Sequence, residues 1–329
     1  MLILSESDLR AVLSMREVIE AVEAGFRALA GGTAYAPERL RLDVPAHKGV
    51  LLEMPAYLGS IDTAEGSTLG TKIVSVFEQN AKRGLDTIQS VYLLLDSETG
   101  VPLALMEGRL ITAIRTAATS AVATKFMARP GSRRLAVFGA GVQAEAHIRA
   151  MIEVAEIDRV MIASRSADKA GALGDRVRSA HHLPCELVSA EQAAATADLI
   201  CTCTSSPVPL FDGKLLNPGT HINAIGAYTP TTRELDTETV GRARVIVDAE
   251  SAAGREAGDI LIPMSQGAIN SGHIKGTLAD IVSGKVAGRE SPSEITLFKS
   301  CGLAIEDLVT ARLAYTRATA GDIGTRVNL

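Results

Sequence analysis

The ten residues Leu135-Ala-Val-Phe-Gly-Ala-Gly-Val-Gln-Ala144 constrain this chain more than any other stretch. Leu135 to Phe138 read as a short buried strand, Gly139 and Gly141 turn the chain, and a helix opens at Val142. This is the Gly-x-Gly-x-x-Ala form of the dinucleotide fingerprint. Gly139 permits the tight turn, Gly141 lets backbone approach a pyrophosphate, and Ala144 keeps helix and strand close. The helix start at Val142 and Gln143 offers N–H groups and a positive dipole end to the phosphates. A glycine triplet alone is equally a bare strand–turn–helix; its context gives it weight. Further strands are expected at 159–163, 186–188, 199–204, 221–226 and 245–247, with helical segments such as 189–197 between them. Six strands with crossover helices predict a doubly wound α/β Rossmann sheet.

The end of the second strand bears on which nucleotide binds. An NAD site usually places Asp or Glu there, roughly 20 residues past the glycine turn. This chain reads Ile162-Ala-Ser-Arg-Ser166, with no acid until Asp168. Arg165 can stack on adenine and pair with a 2′-phosphate, and Ser164 and Ser166 can donate hydrogen bonds to it. An ordinary loop arginine is the plainer alternative. The pattern favours NADPH, with NADH weaker.

Upstream the rhythm is different. Helices are expected after Ser5 and Ser14, each with an acid three residues on in capping-box spacing, the second running to Gly31-Gly32. Residues 39–44 then alternate apolar and polar as a half-buried strand, followed by strands at 50–54, 69–77, 88–95 and 101–107 and a helix at 110–128. Pro130-Gly131-Ser132 breaks the chain ahead of the cofactor strand. The first region is therefore α+β. The amphipathic helix expected at 304–320 follows a sheet that already looks complete, so it is expected to return to the first region. The boundaries that follow are 1–118 with 303–329 for a discontinuous α+β domain, and 119–302 for the Rossmann domain.

At 329 residues, 47% of them apolar and only 3% aromatic, the chain has the aliphatic stock that a parallel sheet buried on both faces demands. A net charge of −5 argues against nucleic acid or an anionic membrane as partner. No apolar run spans a bilayer, and Met1-Leu-Ile-Leu lacks a basic leader. Four scattered cysteines and six scattered histidines give no metal pattern, so no metal and a cytoplasmic location are expected.

Three cations of the first region stand where charge is unexpected. Lys72 shares a strand face with Gly70, Val74 and Val76, so it either snorkels to water or serves a site. Arg41 alternates with apolar residues, as the wet face of a strand also would. Arg115 lies on a helix beside the polar stripe Thr112, Thr116 and Thr119.

These residues, taken with Leu52-Glu-Met-Pro55, Thr71-Lys-Ile-Val74, Arg115-Thr-Ala-Ala-Thr-Ser120, Gly139-Ala-Gly-Val-Gln-Ala144, His221-Ile-Asn-Ala-Ile-Gly226 and Phe298-Lys-Ser-Cys-Gly302 with Ala304-Ile-Glu-Asp307, resemble the ornithine cyclodeaminase/mu-crystallin family, nearest to its imine-reducing members. The resemblance runs from near the first residue to the last helix. It implies a homodimer whose first domains join sheets, with an active site in a cleft. It implies that Arg41, Lys72 and Arg115 hold a substrate carboxylate with Glu53 close by. It also places Thr87, Ile88, Arg115, Thr116, Cys203, Thr204 and Ser300 near the cofactor. One position departs. Cyclodeaminases and the family's alanine dehydrogenases carry a catalytic Asp two residues after the Gly of Ile225-Gly-Ala-Tyr-Thr-Pro230, and this chain has Tyr228. Its imine reductases lack that Asp and prefer NADPH.

The expectation is therefore an NADPH-dependent reductase of a cyclic imino acid, Δ1-pyrroline-2-carboxylate or Δ1-piperideine-2-carboxylate. Lys72 would be the central catalytic group and Glu53 the proton handler. The alternatives are a cyclodeaminase or amino-acid dehydrogenase, and a non-catalytic protein that binds NADPH and a small acidic ligand.

Overall fold

The computed structural model describes residues 1–59 and 66–328. The chain divides into two compact units, Met1–Thr116 with Leu303–Leu329, and Ala117–Gly302.

The first unit is built on a mixed sheet. Its order is Thr325–Arg326, Leu2–Leu4, Pro102–Glu107, Ile88–Leu95, Thr68–Phe77, Gly49–Leu58, with Ala34–Tyr35 and Leu40–Val44 both paired to Gly49–Leu58. All pairings are antiparallel except Leu2–Leu4 against Pro102–Glu107. That first strand was invisible in the sequence because three residues are too few to show a period. The helices Glu6–Val12 and Met15–Ala30 start at Ser5 and Ser14, whose hydroxyls accept from Asp8 and Glu17 N–H groups as their spacing predicts. Helix Ala304–Ala320 packs on Met15–Ala30 and on the strands Gly49–Leu58 and Thr68–Phe77, so the last helix does return to the first region's elements. It is not the simple amphipathic helix expected. Every residue from Ala304 to Ala311 is buried, including Glu306 and Asp307.

Strand alternation sorts this sheet into two faces. Leu52, Met54, Ala56, Lys72, Val74, Tyr92, Leu94 and Met106 are buried on the helix side. On the other side Leu40, Leu42, Tyr57, Ile73 and Val91 are exposed. The strand Leu40–Val44 is open to solvent along most of its length, not half-buried as its alternation suggests. Period two assigns residues to faces, but only a covering layer makes a face buried.

The second unit holds a parallel sheet in the order Cys185–Leu187, Arg159–Ala163, Arg134–Phe138, Leu199–Thr202, His221–Ala224, Ile295–Lys299, Ala243–Val247, Ile274–Thr277. Leu135 to Val137 and Val245 to Val247 are fully buried, as in a sheet covered on both faces. The expected six strands are present, but eight stand among the described residues. The sheet is therefore not complete at residue 247. Ile295–Lys299 was hidden because Thr296 and Lys299 read as polar. Both are buried with partners, Thr296 at His221 Nδ1 and Lys299 at Asp259. Ile274–Thr277 was hidden by Gly276 and a short edge position. Among the described residues no helix is long and apolar enough to cross a membrane.

Candidate active site

The strand Arg134–Phe138, the glycine turn and the helix Val142–Val154 form as their residues dictate. Gly139 has φ +108°, a conformation L side chains rarely adopt, and a Cβ there would lie 2.6 Å from the Cys203 carbonyl oxygen. Gly141 is the N-cap of the helix. Around this turn lies a pocket of about 540 Å³ lined by Gly139 to Gly141, Ser164 to Ser166, Cys203 and Thr204, among others. Val142 is exposed, and Gln143 Oε1 is buried without a hydrogen-bond partner. The glycine cradle, the helix start and the hydroxyl-rich wall fit a dinucleotide. Ser166 is partly engaged, since its hydroxyl caps the helix Ala167–His181 by accepting from the Lys169 N–H at 3.4 Å.

A buried polar network ties down the strand ends beside this pocket. Glu234 accepts from Thr202 Oγ1, Thr204 N and Oγ1, and Gly226 N at 2.6–2.7 Å. Burial pushes its carboxyl pKa up. Asp259 accepts from the backbone of Glu234 and Leu235 and pairs with Lys299 at 3.0 Å. Lys299 Nζ also donates to the Ala227 carbonyl at 2.5 Å, next to Tyr228. Gly226 has no room for a side chain, since a Cβ would meet the Thr204 carbonyl oxygen at 2.0 Å. Tyr228 itself is half exposed. Ser300 is buried and its hydroxyl donates to Asp248 at 3.1 Å.

In the first unit, four charges meet inside the protein. Lys72 Nζ donates to both oxygens of Asp307 at 2.8 and 3.0 Å, and Arg115 Nε donates to Asp307 at 3.0 Å. Arg115 Nη1 also donates to Glu306 at 2.5 Å. All four side chains are at most 6% exposed. Two cations and two anions make the set neutral, which is what allows it to be buried. Lys72 therefore does not snorkel. Burial and the nearby Arg115 charge push its pKa down to about 8, against the pull of Asp307. Burial opposes the Arg115 charge too, but Asp307 and Glu306 outweigh it and hold its pKa high. Two of the three Lys72 N–H groups are committed to Asp307; among the described residues the third has no partner.

The other expected site residues are dispersed. Glu53 pairs across the strands with Ile73, so it projects to the face opposite Lys72, where Thr71 Oγ1 lies 3.5 Å away. Met54 is the residue opposite Lys72, and the alternation that buries Lys72 removes Glu53 from its side. Arg41 shares the Lys72 face but is exposed and bonded to Asp43 at 2.7 Å. Thr116 Oγ1 donates to the Thr112 carbonyl of its own helix, Thr87 is half-buried and Ile88 is exposed. Glu306 and Asp307 belong to the stretch Ala304-Ile-Glu-Asp307 that carries the resemblance, but the sequence assigned them no role. Their signal was an adjacent acid pair in the first turn of an apolar helix, a place where acids are also ordinary dipole partners.

Fold and pocket together define a two-unit α/β protein with a dinucleotide-type cradle. More specifically, the chain belongs to the ornithine cyclodeaminase/mu-crystallin family, whose profile matches residues 1–322. It is 36% identical over 330 residues to the Δ1-pyrroline-2-carboxylate reductase of Bacillus cereus, covering 99% of each chain. It superposes with a TM-score of 0.95 and 42% identity on Thermococcus litoralis Δ1-pyrroline-2-carboxylate reductase in complex with NADH and L-proline, covering 99% of this chain and 100% of that one. An archaeal alanine dehydrogenase dimer with bound NAD gives 0.93 and 32%, covering 100% and 99%.

Proposed function

We propose that this protein is an NADPH-dependent reductase of cyclic imine carboxylates, forming L-proline from Δ1-pyrroline-2-carboxylate or L-pipecolate from Δ1-piperideine-2-carboxylate. The observation that carries this is the buried, charge-balanced set of Lys72, Arg115, Glu306 and Asp307. A carboxylate alone would leave that set with an unbalanced charge. A cyclic iminium carboxylate brings one charge of each sign and leaves it neutral, so the electrostatics favour the protonated imine.

In this reading the third Lys72 N–H and the Arg115 guanidinium take the carboxylate, and Asp307 keeps Lys72 aimed and charged. Holding the carboxylate fixes the C=N carbon, which is the main task left to the protein. Bound NADPH supplies the hydride. No residue has to deliver a proton, because the ring nitrogen arrives protonated. Glu53, on the other sheet face, has no part in this scheme. Gly139, Gly141, Gln143, Ser164, Arg165, Ser166, Cys203 and Thr204 hold the nucleotide.

The first unit would carry substrate binding and dimerisation. A second copy of the chain is the fitting cover for Leu40, Leu42, Ile73 and Val91, exposed apolar residues that share the open sheet face with Glu53. The likeness to the alanine dehydrogenase dimer supports it. Mixing protein, NADPH and Δ1-pyrroline-2-carboxylate and following the nicotinamide absorbance tests the activity. Tight binding of both with no oxidation would overturn it.

Two expected results follow directly. Arg165→Ala should raise the Michaelis constant for NADPH roughly ten- to a hundredfold, the worth of a charge-assisted pair to phosphate, and leave that for NADH nearly unchanged. Equal losses with both coenzymes would remove Arg165 from the phosphate. Second, Lys72 binds carboxylate only when protonated, so affinity for the zwitterion L-proline should fall above about pH 8. Its folded pKa lies below the ordinary 10.5, so the folded state holds fewer protons between about 8 and 10.5. L-Proline titrations across that window would show the loss.

A further inference from the structure

The cofactor pocket of the second unit holds a second cation. Lys169 lines it together with Arg165, beside the hydroxyls of Ser164 and Ser166. It lies three residues past the N-cap Ser166, and a helical Cα–Cβ bond tilts toward the helix N-terminus, the end next to Arg165. Arg165 and Lys169 are both exposed, and among the described residues neither side chain has an ion-pair or hydrogen-bond partner. Nearby Arg176 and Arg178 are paired with Glu145 and Asp175. No carboxylate lines the pocket.

We propose that Lys169 is a specificity-determining residue that pairs with the adenosine 2′-phosphate alongside Arg165, making a two-cation clamp. This rests on the NADPH reading above. A phosphate monoester carries about −1.5 to −2 at neutral pH, so a single guanidinium leaves part of that charge unmatched, and a second cation matches it. The geometry divides the work. Arg165, at the strand end, can lie flat against adenine while its guanidinium meets the phosphate, and Lys169 approaches from the helix as a point charge. An NAD site needs an acceptor for the 2′-hydroxyl, and this pocket has two donors of positive charge in that region instead.

The test uses the intact protein and two probes, adenosine 2′,5′-bisphosphate and adenosine 5′-monophosphate, titrated calorimetrically. Lys169→Ala should weaken the bisphosphate about five- to tenfold and the monophosphate less than about twofold, with Lys169→Arg restoring the difference. Lys169→Ala with unchanged bisphosphate affinity, while Arg165→Ala is weakened, would overturn the inference and leave the NADPH reading standing. Equal weakening of both probes would also overturn it, since Lys169 would then serve the shared 5′-phosphate. If the unmodified protein binds the two probes equally, the NADPH reading falls and the clamp with it. Both positions are solvent-exposed, so the variants should fold as the parent does.

Discussion

Lys72→Met is expected to abolish imine reduction, lowering kcat/KM by at least about a hundredfold, while NADPH still binds by fluorescence titration. Methionine keeps most of the side chain's length and removes the charge. The loss has two parts. The carboxylate loses the N–H that Asp307 leaves unclaimed, and the set of four charges becomes net negative. Removing one partner from a buried ion pair costs about 3–5 kcal/mol, so a melt will show destabilisation as well. Combining Lys72→Met with Asp307→Asn separates the two parts. The double variant removes one charge of each sign, which should recover much of the stability and none of the activity. Near-normal turnover in either variant would show that the buried set is only structural.

The second large effect concerns Tyr228. A cyclodeaminase oxidises an amine, adds a second amine to the imine within the same molecule and expels ammonia. That sequence needs a group that accepts protons near neutral pH, which a carboxylate does. A phenol ionises only at about pH 10. Tyr228 follows Ala227, whose carbonyl Lys299 pins, so the position is held by the fold although its side chain is half exposed. Ornithine and lysine should therefore release no ammonia with NAD or NADP, a difference of several orders of magnitude from imine reduction. Tyr228→Asp should then give measurable amine oxidation at alkaline pH. Ammonia from ornithine with the unmodified protein would contradict this directly, because the residue used to exclude that chemistry would be dispensable.

The legible parts of the sequence were those that local rules determine. Gly139 and Gly141 imposed a turn, Ser5 and Ser14 imposed helix starts, and the run Leu135 to Phe138 had no plausible place except a buried strand. The absence of an acid beside Arg165, which lines the pocket, is likewise a local fact. The hidden parts depended on partners distant in the chain. Lys299 can end a buried strand only because Asp259 pairs with it. The neutrality of the Lys72 site lay in Asp307, 235 residues away. Glu53 was misplaced for a different reason: its motif was legible but its register was not. One residue of register moves a side chain to the other face of a sheet, and pairing with Ile73 puts Glu53 on the face opposite Lys72. Leu40 and Leu42 show the same limit, since alternation alone cannot tell a covered face from an open one.

The central claim is that the protein orients a cyclic imine carboxylate so that its C=N carbon receives hydride. It is tested most directly with NADPH carrying deuterium at both positions of nicotinamide C4, incubated with Δ1-pyrroline-2-carboxylate and the protein. The account predicts L-proline with one deuterium at C2, in amounts matching the NADPH consumed, and none in the Lys72→Met variant. Proline without label, or NADPH consumption with no proline, would contradict it.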